Sequence, residues 1–341
     1  MKEQVFTFSN NQVSYLFDAH VTEYLQQFEK DRLIILTDEN IYMHYAGLFS
    51  GLHCVVQKAG ESSKTQAGID RIIDQLLQQE ATRNAILVAV GGGVITDMGG
   101  FIASIYKRGI KLILVPTSIL AMTDAAIGGK NGINVKGYKN MVGTVYQPAA
   151  IVFDYSFLKT LPKQEWINGF AEIIKHACIK DEAMFISLQQ QQLENFMDNP
   201  ELISLLIEQN ARLKTEIVQG DEYEKKERKL LNFGHTVGHA IENLYQLPHG
   251  QAISIGMAAA CKFSEEMNMF YSSEKEKVIS LLNQYHLQTD FFGDKEKIWD
   301  TMLRDKKREK DTLDFILLNK IGEGRISSIG LEQLKEMVFS L

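Results

Sequence analysis

The sequence predicts an α/β unit built on a parallel-rich sheet, followed by a mostly α-helical unit. Three observations lead to that fold class. Between residues 33 and 153, short continuous apolar runs alternate with longer amphipathic ones, the pattern of buried strands joined by right-handed helical crossovers in a Rossmann-like sheet. After 151–153 no further strand-like run stands out until 314–318, and the segments between carry apolar residues at helical spacing. A length of 341 residues suits roughly two domains. The change of pattern divides the chain into 1–158 and 159–341.

The elements follow in order. LIIL at 33–36 is a strand ending in Thr37, Asp38, Glu39 and Asn40, and 53–57 is a second strand. Residues 65–79 form a helix, with Ile69, Ile72, Ile73, Leu76 and Leu77 at three-to-four spacing. The strand at 85–90 runs into Gly91, Gly92 and Gly93, a small apolar helix covers 98–106, and the strand at 111–115 ends at Pro116, Thr117 and Ser118. In the second half Pro162 stands where a helix start tolerates proline, with Thr160 as its cap. Helices are expected at 164–180, 182–196, 201–219, 232–245, 250–267 and 275–285, the Gln run at 189–192 extending one of them.

Composition narrows the function classes. Hydrophobic residues make up 45% and charged ones 23%, so a sizeable core can form. A formal net charge of −7 argues against non-specific nucleic-acid binding, which rests on basic surface. Three scattered cysteines, Cys54, Cys178 and Cys261, fit a reducing cytoplasm better than a disulfide framework. The N-terminus lacks the basic-then-apolar pattern of a signal peptide, and no run of about 18 apolar residues suggests a membrane span.

GGGVITD at 91–97 follows a strand and opens a helix. Glycine lets the backbone approach a pyrophosphate, and a helix N-terminus offers free N–H groups. The pattern is not GxGxxG, so the ordinary dinucleotide fingerprint is absent, and a tight turn without a ligand is the plainer alternative. Asp38 and Asn40, past a strand end, suit ribose or adenine hydroxyls in such a unit; by themselves they make an ordinary turn. Residues 123–140, TDAAIGGKNGINVKGYKN, read as a long glycine-rich loop carrying Asp124, Lys130, Lys136, Lys139 and Asn140. Loops after parallel strands gather at the ligand edge of a sheet, although a solvated charged loop has the same composition. Its GGK is not a Walker loop, since position 123 is Thr and Asn131 follows the lysine.

Residues 228–257 hold three of the eight histidines. His235 and His239 lie four apart on one helix face with Glu242, and His249 stands at the Pro248–Gly250 break. Imidazoles so placed make a partial metal cage that lacks one carboxylate. Spacing favours His235 with His239, and such pairs also occur without metal. Thr236 excludes the zincin HExxH pattern. Glu172, Lys175 and His176 lie within one helical turn, either as a surface ion pair or as the source of that carboxylate. DEYEKKER at 221–228 and MLRDKK at 302–307 read as solvated faces.

Taken together, these stretches resemble the 3-dehydroquinate synthase family over about 85–318. The resemblance lies in GGGVITD, YKRG around Arg108, VPTSILAMTDAAIGGKNGIN, Lys139 with Asn140, FLKTLP, GFAEIIKH, LLNFGHTVGHAIE, HGQAISIGM and DKK, in matching order and spacing. It implies an NAD-binding α/β domain, a helical metal- and substrate-binding domain, an active site between them and a cytoplasmic homodimer. The implied cofactors are a recycled NAD⁺ and a divalent metal, Zn²⁺ or Co²⁺. The implied metal ligands are Glu172, His235 and His249, which makes His239 a substrate-facing catalytic group.

The implied reaction turns 3-deoxy-D-arabino-heptulosonate 7-phosphate into 3-dehydroquinate and phosphate, with no partner beyond the small sugar phosphate. A hydride leaves carbon 5 for NAD⁺, phosphate is eliminated with itself as base, the hydride returns, and ring opening and an aldol close the carbocycle. By position, Arg108, Lys130, Asn140 and Lys175 resemble the phosphate and proton-transfer shell. Asp124, Lys214, Arg228, Asn232, His239 and Lys306 resemble carboxylate and hydroxyl contacts or proton relays. Cofactor contacts carry over to Asp38, Asn40, Glu61, Lys64, Gly92, Gly93, Val94, Asp97, Thr117, Ser118, Lys130, Lys139, Phe157 and Thr160. Ser118 stands where the family usually has Thr, Gln251 where Glu is common, and Lys226 where Gly is frequent.

Two other readings share parts of this pattern. A 2-deoxy-scyllo-inosose or valiolone synthase would keep the cofactors and change the substrate; Arg228, Asn232 and the GGK context favour a carboxylate-bearing substrate. An iron-type glycerol or alcohol dehydrogenase would release NADH, and the Glu–His–His ligand order speaks against it.

Overall fold

The computed structural model describes residues 1–9, 11–136, 138–305 and 311–341. It forms two compact units, Met1–Pro162 with Ser204–Tyr223, and Lys163–Ile203 with Glu224–Leu341.

The first unit is built on a seven-stranded sheet of order β1-β2-β9-β6-β5-β3-β4. Its strands are β1 (Lys2–Thr7), β2 (Gln12–Phe17), β3 (Leu33–Asp38), β4 (His53–Gln57), β5 (Ile86–Gly91), β6 (Lys111–Pro116) and β9 (Ala150–Phe153). Only the β1–β2 pair is antiparallel; the other neighbours run parallel. The sheet carries the core cluster of Leu33, Ile35, Val88, Val90, Ile113, Val115 and Val152, which is why the strands at 33–36, 85–90 and 111–115 read as unbroken apolar runs. Helices α1 (Val21–Leu25), α2 (Glu39–Tyr45), α3 (Gln66–Gln78) and α4 (Gly93–Ile105) connect these strands. Within α4, a Cβ on Gly99 would lie 2.5 Å from the Ala89 Cβ, so glycine lets the helix lie directly on β5.

Residues 123–140 are not a long loop. A short π-turn at Ala121–Ala125 leads into a hairpin of β7 (Lys130–Val135) and β8 (Tyr138–Val145). Glycine and lysine hide the strand alternation there. The glycines are steric necessities: a Cβ on Gly143 would lie 2.0 Å from the Asn131 carbonyl oxygen. Strand β1, at one edge of the sheet, and β2 beside it lack a continuous apolar run, so the sequence does not announce them.

The second unit contains α5 (Lys163–Lys180), α6 (Glu182–Gln189), α7 (Leu193–Asp198), the start of α8 (Pro200–Gly220), α9 (His235–Tyr245), α10 (His249–Glu266), α11 (Ser272–Gln284), α12 (Lys295–Asp305) and α13 (Leu331–Ser340). A hairpin of β10 (Thr312–Lys320) and β11 (Glu323–Gly330) completes it. From residue 204 onward α8 belongs to the first unit, where Thr215 Oγ1 lies 3.0 Å from Tyr15 Oη and Gln219 donates to the Thr7 carbonyl. The helix expected over 182–196 breaks at the Gln run. Tyr285 Oη donates to the carbonyls of Leu188 and Gln191, and Asn195 Oδ1 accepts the Gln192 N–H to start α7.

Helices α9 and α10 meet along a seam of glycine. A Cβ on Gly256 would stand 1.9 Å from the Gly234 carbonyl oxygen, and one on Gly238 would stand 2.9 Å from that of Ala252. Gly234 itself caps α9 in the left-handed region, at φ 79°, which glycine adopts without penalty. At the start of α10, a Cβ on Gly250 would fall 2.5 Å from the Asn168 carbonyl oxygen, and the Gly250 N–H donates to Asn168 Oδ1. Gln251 is used as a backbone clamp. Its amide donates to the His286 carbonyl at 3.0 Å and accepts from the Gln288 N–H at 2.8 Å.

Two stability outcomes follow from these contacts. Gly256→Ala must push α9 and α10 apart, and overpacking of this kind costs about 1–3 kcal/mol, to be read as a lowered thermal midpoint. Gln251→Glu places a carboxylate against the His286 carbonyl and forfeits one hydrogen bond, a loss of about 1–3 kcal/mol at neutral pH. Burial raises the pKa of the introduced acid, so the loss shrinks as pH falls and the protonated acid donates to His286. Denaturant melts at neutral and mildly acidic pH check this; an equal loss at both would refute the clamp.

Candidate active site

The register of the parallel sheet aligns the strand ends of the first unit. Asp38 pairs with Gln57, Thr37 with Val90, and Gly91 with Pro116, so the residues that follow collect at one edge, where α/β sheets bind ligands. Asp38 caps α2, its Oδ1 accepting from the N–H groups of Asn40 and Ile41 at 2.9 and 3.0 Å. Burial raises its pKa, and these two backbone bonds oppose the rise. Gly92 caps α4 and Gly93 begins it, with Val94 partly buried in the same turn. Ser118 Oγ would lie 3.5 Å from a Cβ on Gly92, and the Thr117 N–H bonds the Gly91 carbonyl.

Beside this edge, Lys64 is 3% exposed and anchors a polar cluster. Its Nζ lies 2.5 Å from both Asp97 Oδ2 and Asn140 Oδ1, and 4.0 Å from Glu61 Oε1. Burial raises the Asp97 pKa, with the Lys64 ammonium opposing it. Asn134 was not foreseen, yet it ties the cluster together by donating to Glu61 Oε1 at 2.7 Å and accepting from the Asn140 N–H at 3.0 Å.

The other expected residues of this unit are dispersed. Phe157 packs edge-on against Tyr45 at 4.7 Å, and Tyr45 Oη bonds Thr160 Oγ1. Lys214 pairs with Asp124 at 2.8 Å. Lys130 is exposed at the start of β7, Lys139 is partly buried in β8, and Asn40 is exposed. Arg108 is exposed in a turn where Lys107, Arg108 and Gly109 all have positive φ, a conformation that costs non-glycine residues free energy.

The second unit brings Glu172, His235 and His249 together. Their ligand atoms lie within 4.8 Å of one another. Glu172 Oε1 is 3.3 Å from His249 Nε2 and 3.6 Å from His235 Nε2. Such separations match the roughly 3.4 Å edge of a tetrahedron with bonds of about 2.1 Å. Glu172 is fully buried on α5 and forms an ion pair with Lys175 one turn on. The back nitrogen of His235 faces the Phe233 carbonyl at 3.1 Å, and that of His249 faces Glu242 Oε2 at 3.3 Å, so both Nε2 atoms point toward Glu172. Two imidazoles and a carboxylate, with a coordination position to spare, fit a catalytic divalent metal.

Electrostatics separate the two imidazoles. Burial, followed by the Lys175 charge, holds His235 well below its ordinary value, hence neutral and ready to ligate. Burial also pulls His249 down, but its bonds to Glu172 and Glu242 outweigh this and raise it to about 10. His239, half-buried, lies beside these rings at centroid distances of 5.0 Å from His235 and 6.3 Å from His249. It also forms a second donor group with Glu242 and His249, which is why spacing alone pointed to it. Arg228 is buried in the 3₁₀ turn Glu227–Asn232, and Asn232 donates to Glu224 Oε1 at 2.5 Å. Lys306 lies outside the described residues. Glu242 was not among the expected site residues, although its place three after His239 was the available signal.

A strand-edge glycine turn in one unit and a His–His–Glu donor set in the other define a metal-site enzyme on an α/β-plus-helical frame. The 3-dehydroquinate synthase N-terminal family model matches residues 54–168, and the C-terminal one matches 169–308. A 3-dehydroquinate synthase of Picosynechococcus sp. is 37% identical over 309 residues, covering 86% of this chain and 84% of that protein. One from Campylobacter concisus is likewise 37% identical over 309 residues, covering 88% of each. A solved 2-deoxy-scyllo-inosose synthase, complexed with carbaglucose-6-phosphate, NAD⁺ and Co²⁺, is similar with a TM-score of 0.87 at 27% identity, covering 99% of both chains. The chain belongs to the 3-dehydroquinate synthase family and is an enzyme of that kind.

The raised His249 makes metal uptake pH-dependent. Its Nε2 must lose a proton to ligate, so binding expels about one proton per metal below pH 10, and the apparent affinity rises about tenfold per pH unit from 7 to 9. Calorimetric titration in buffers of different ionisation enthalpy reads that proton; a pH-independent affinity would contradict it.

Proposed function

We propose that this enzyme converts 3-deoxy-D-arabino-heptulosonate 7-phosphate to 3-dehydroquinate and phosphate, with NAD⁺ at the strand-edge site and Zn²⁺ or Co²⁺ at Glu172, His235 and His249. The observation that carries this reading is the donor set around the buried Glu172, with separations of 3.3 and 3.6 Å and each imidazole fixed from behind. When bound, NAD⁺ takes and later returns one hydride, and the metal acts as a Lewis acid toward the oxygen being oxidised. The net reaction is redox-neutral, so no NADH is released.

The chain's own residues bind, orient and move protons. The Asp38 carboxylate and the N–H groups opening α4 at Gly92 and Gly93 suit the ribose and pyrophosphate, with Lys64, Asp97, Thr117, Ser118, Lys139, Phe157 and Thr160 around them. Lys175 and His239 carry protons near the oxidised carbon, His239 being the half-buried imidazole next to the ligand His235. Arg108, Lys130 and Asn140 neutralise phosphate, a group that cations and amide donors recognise. Arg228, Asn232, Lys214, Asp124 and Lys306 hold the carboxylate and hydroxyls. The free cysteines Cys54, Cys178 and Cys261 support a cytoplasmic setting, and no helix among the described residues is long and apolar enough to cross a membrane. A homodimer is proposed from the family resemblance.

The test is phosphate release from the heptulosonate phosphate in the presence of NAD⁺ and Co²⁺, with NADH absorbance followed at the same time. Phosphate without net NADH is expected. No release from this substrate, but turnover of a hexose phosphate, would favour the inosose-synthase reading. NADH accumulation with glycerol would favour a dehydrogenase. His239→Asn should lower kcat by about 10²–10⁴-fold with a near-native thermal midpoint. Lys175 is a poorer test, because removing it takes away the ammonium that pairs with the buried Glu172, and breaking a buried pair itself destabilises by about 3–5 kcal/mol.

A further inference from the structure

Glu242 is a buried carboxylate that the reaction above leaves without a task. It sits on α9, seven residues after His235, and is 7% exposed. Its Oε2 stands 3.3 Å from His249 Nδ1, while the other ring nitrogen stands 3.3 Å from Glu172 Oε1. The His249 ring is therefore held between two carboxylates, one at each nitrogen. A neutral imidazole has two tautomers, and ligation through Nε2 needs the proton on Nδ1. An ionised carboxylate only accepts hydrogen bonds, so at Nδ1 it selects the required tautomer and fixes the plane of the ring. His235 receives the same service from the Phe233 carbonyl. That acceptor is main chain and cannot be deleted by substitution. His249, first residue of α10 and directly after Pro248, has a side chain in that place.

We propose that Glu242 is the positioning residue of the metal centre, holding His249 in the Nε2-ligating tautomer and orientation. This rests on the metal assignment made above. It predicts that loss of Glu242 weakens metal binding although Glu242 does not touch the metal.

The experiment uses the full chain stripped of metal by a chelator. Wild type, Glu242→Ala and Glu242→Gln are titrated with Co²⁺ against a chromogenic chelator at several pH values, so that affinities for the deprotonated site are compared, and the visible absorption of the bound Co²⁺ is recorded. Wild type should take up one equivalent. Glu242→Ala should bind about 10–100-fold more weakly, with an altered Co²⁺ spectrum. Glu242→Gln, whose amide oxygen still accepts from Nδ1–H, should stay within a few-fold of wild type and keep its spectrum. Thermal midpoints of the metal-free variants register any general loss of fold, which would not restore the spectrum selectively in the Gln variant.

Wild-type affinity and spectrum in Glu242→Ala would overturn the proposal. So would equal weakening in both variants, or a second bound equivalent lost in both, because Glu242 would then be a ligand with His239. A wild-type chain that takes up no metal would overturn the assignment of the centre itself, a result distinct from these.

Discussion

The close approach of α9 to α10 is the constraint on which the metal centre depends. Gly234, Gly238 and Gly256 leave no room for a side chain where the helices meet. That contact sets His249, at the head of α10, beside His235 and His239 on α9. Asn168 extends the constraint to α5, accepting the Gly250 N–H, so the helix that carries Glu172 is bound to the same junction. Three separate helices thereby deliver three donors within a few ångströms. A site built on packed helices keeps its geometry more closely than one built on loops.

Burying that geometry has an electrostatic cost. Glu172 is fully buried and Lys175 is 1% exposed, and a lone charge in such a place would be unstable. Lys175 neutralises Glu172 from within the same helix, and His249 approaches from α10. The same arrangement disfavours a charge on His235, whose neighbours include Lys175 and His249. The first unit solves its own version of the problem with Lys64, which is buried among Asp97, Asn140 and Glu61.

Legibility in the sequence followed the physics of each segment. Strands β3, β5 and β6 are buried on both faces, and continuous apolar runs announced them. β7 and β8 were hidden, because glycines required by close backbone contact erased the alternation. The break at the Gln run was hidden as well, because Tyr285, nearly a hundred residues away, takes up the freed carbonyls. Residues 204–223 joining the first unit left no mark in composition, since the segment continues one helix. At the metal centre, helical spacing correctly placed His235 and His239 side by side, but it could not rank them as ligands. That choice depends on which nitrogen faces Glu172, and Glu172 lies more than sixty residues away. The substitution-like Gln251 was legible only as a departure; its clamp on 286–288 exists in three dimensions alone.

His235 and His249 face the same carboxylate oxygen of Glu172 and differ in what stands behind them. A neutral carbonyl behind His235 orients the ring without adding negative charge, and burial then keeps the ring deprotonated. A carboxylate behind His249 adds charge, and the ring holds a proton up to about pH 10. The metal-free centre is thus neutral at one imidazole and cationic at the other. This asymmetry satisfies two opposed demands. While no metal is bound, the His249 cation offsets Glu172 and Glu242 and keeps two buried carboxylates tolerable. For binding, only one proton has to leave, since His235 is already in the ligating state. An entirely neutral pair would ease binding and leave the carboxylates under-compensated, whereas a doubly protonated pair would require two protons to depart. The bonds of His249 to Glu172 and Glu242, set against the burial of His235 beside the Lys175 charge, therefore shape both the stability of the metal-free centre and the pH dependence of filling it.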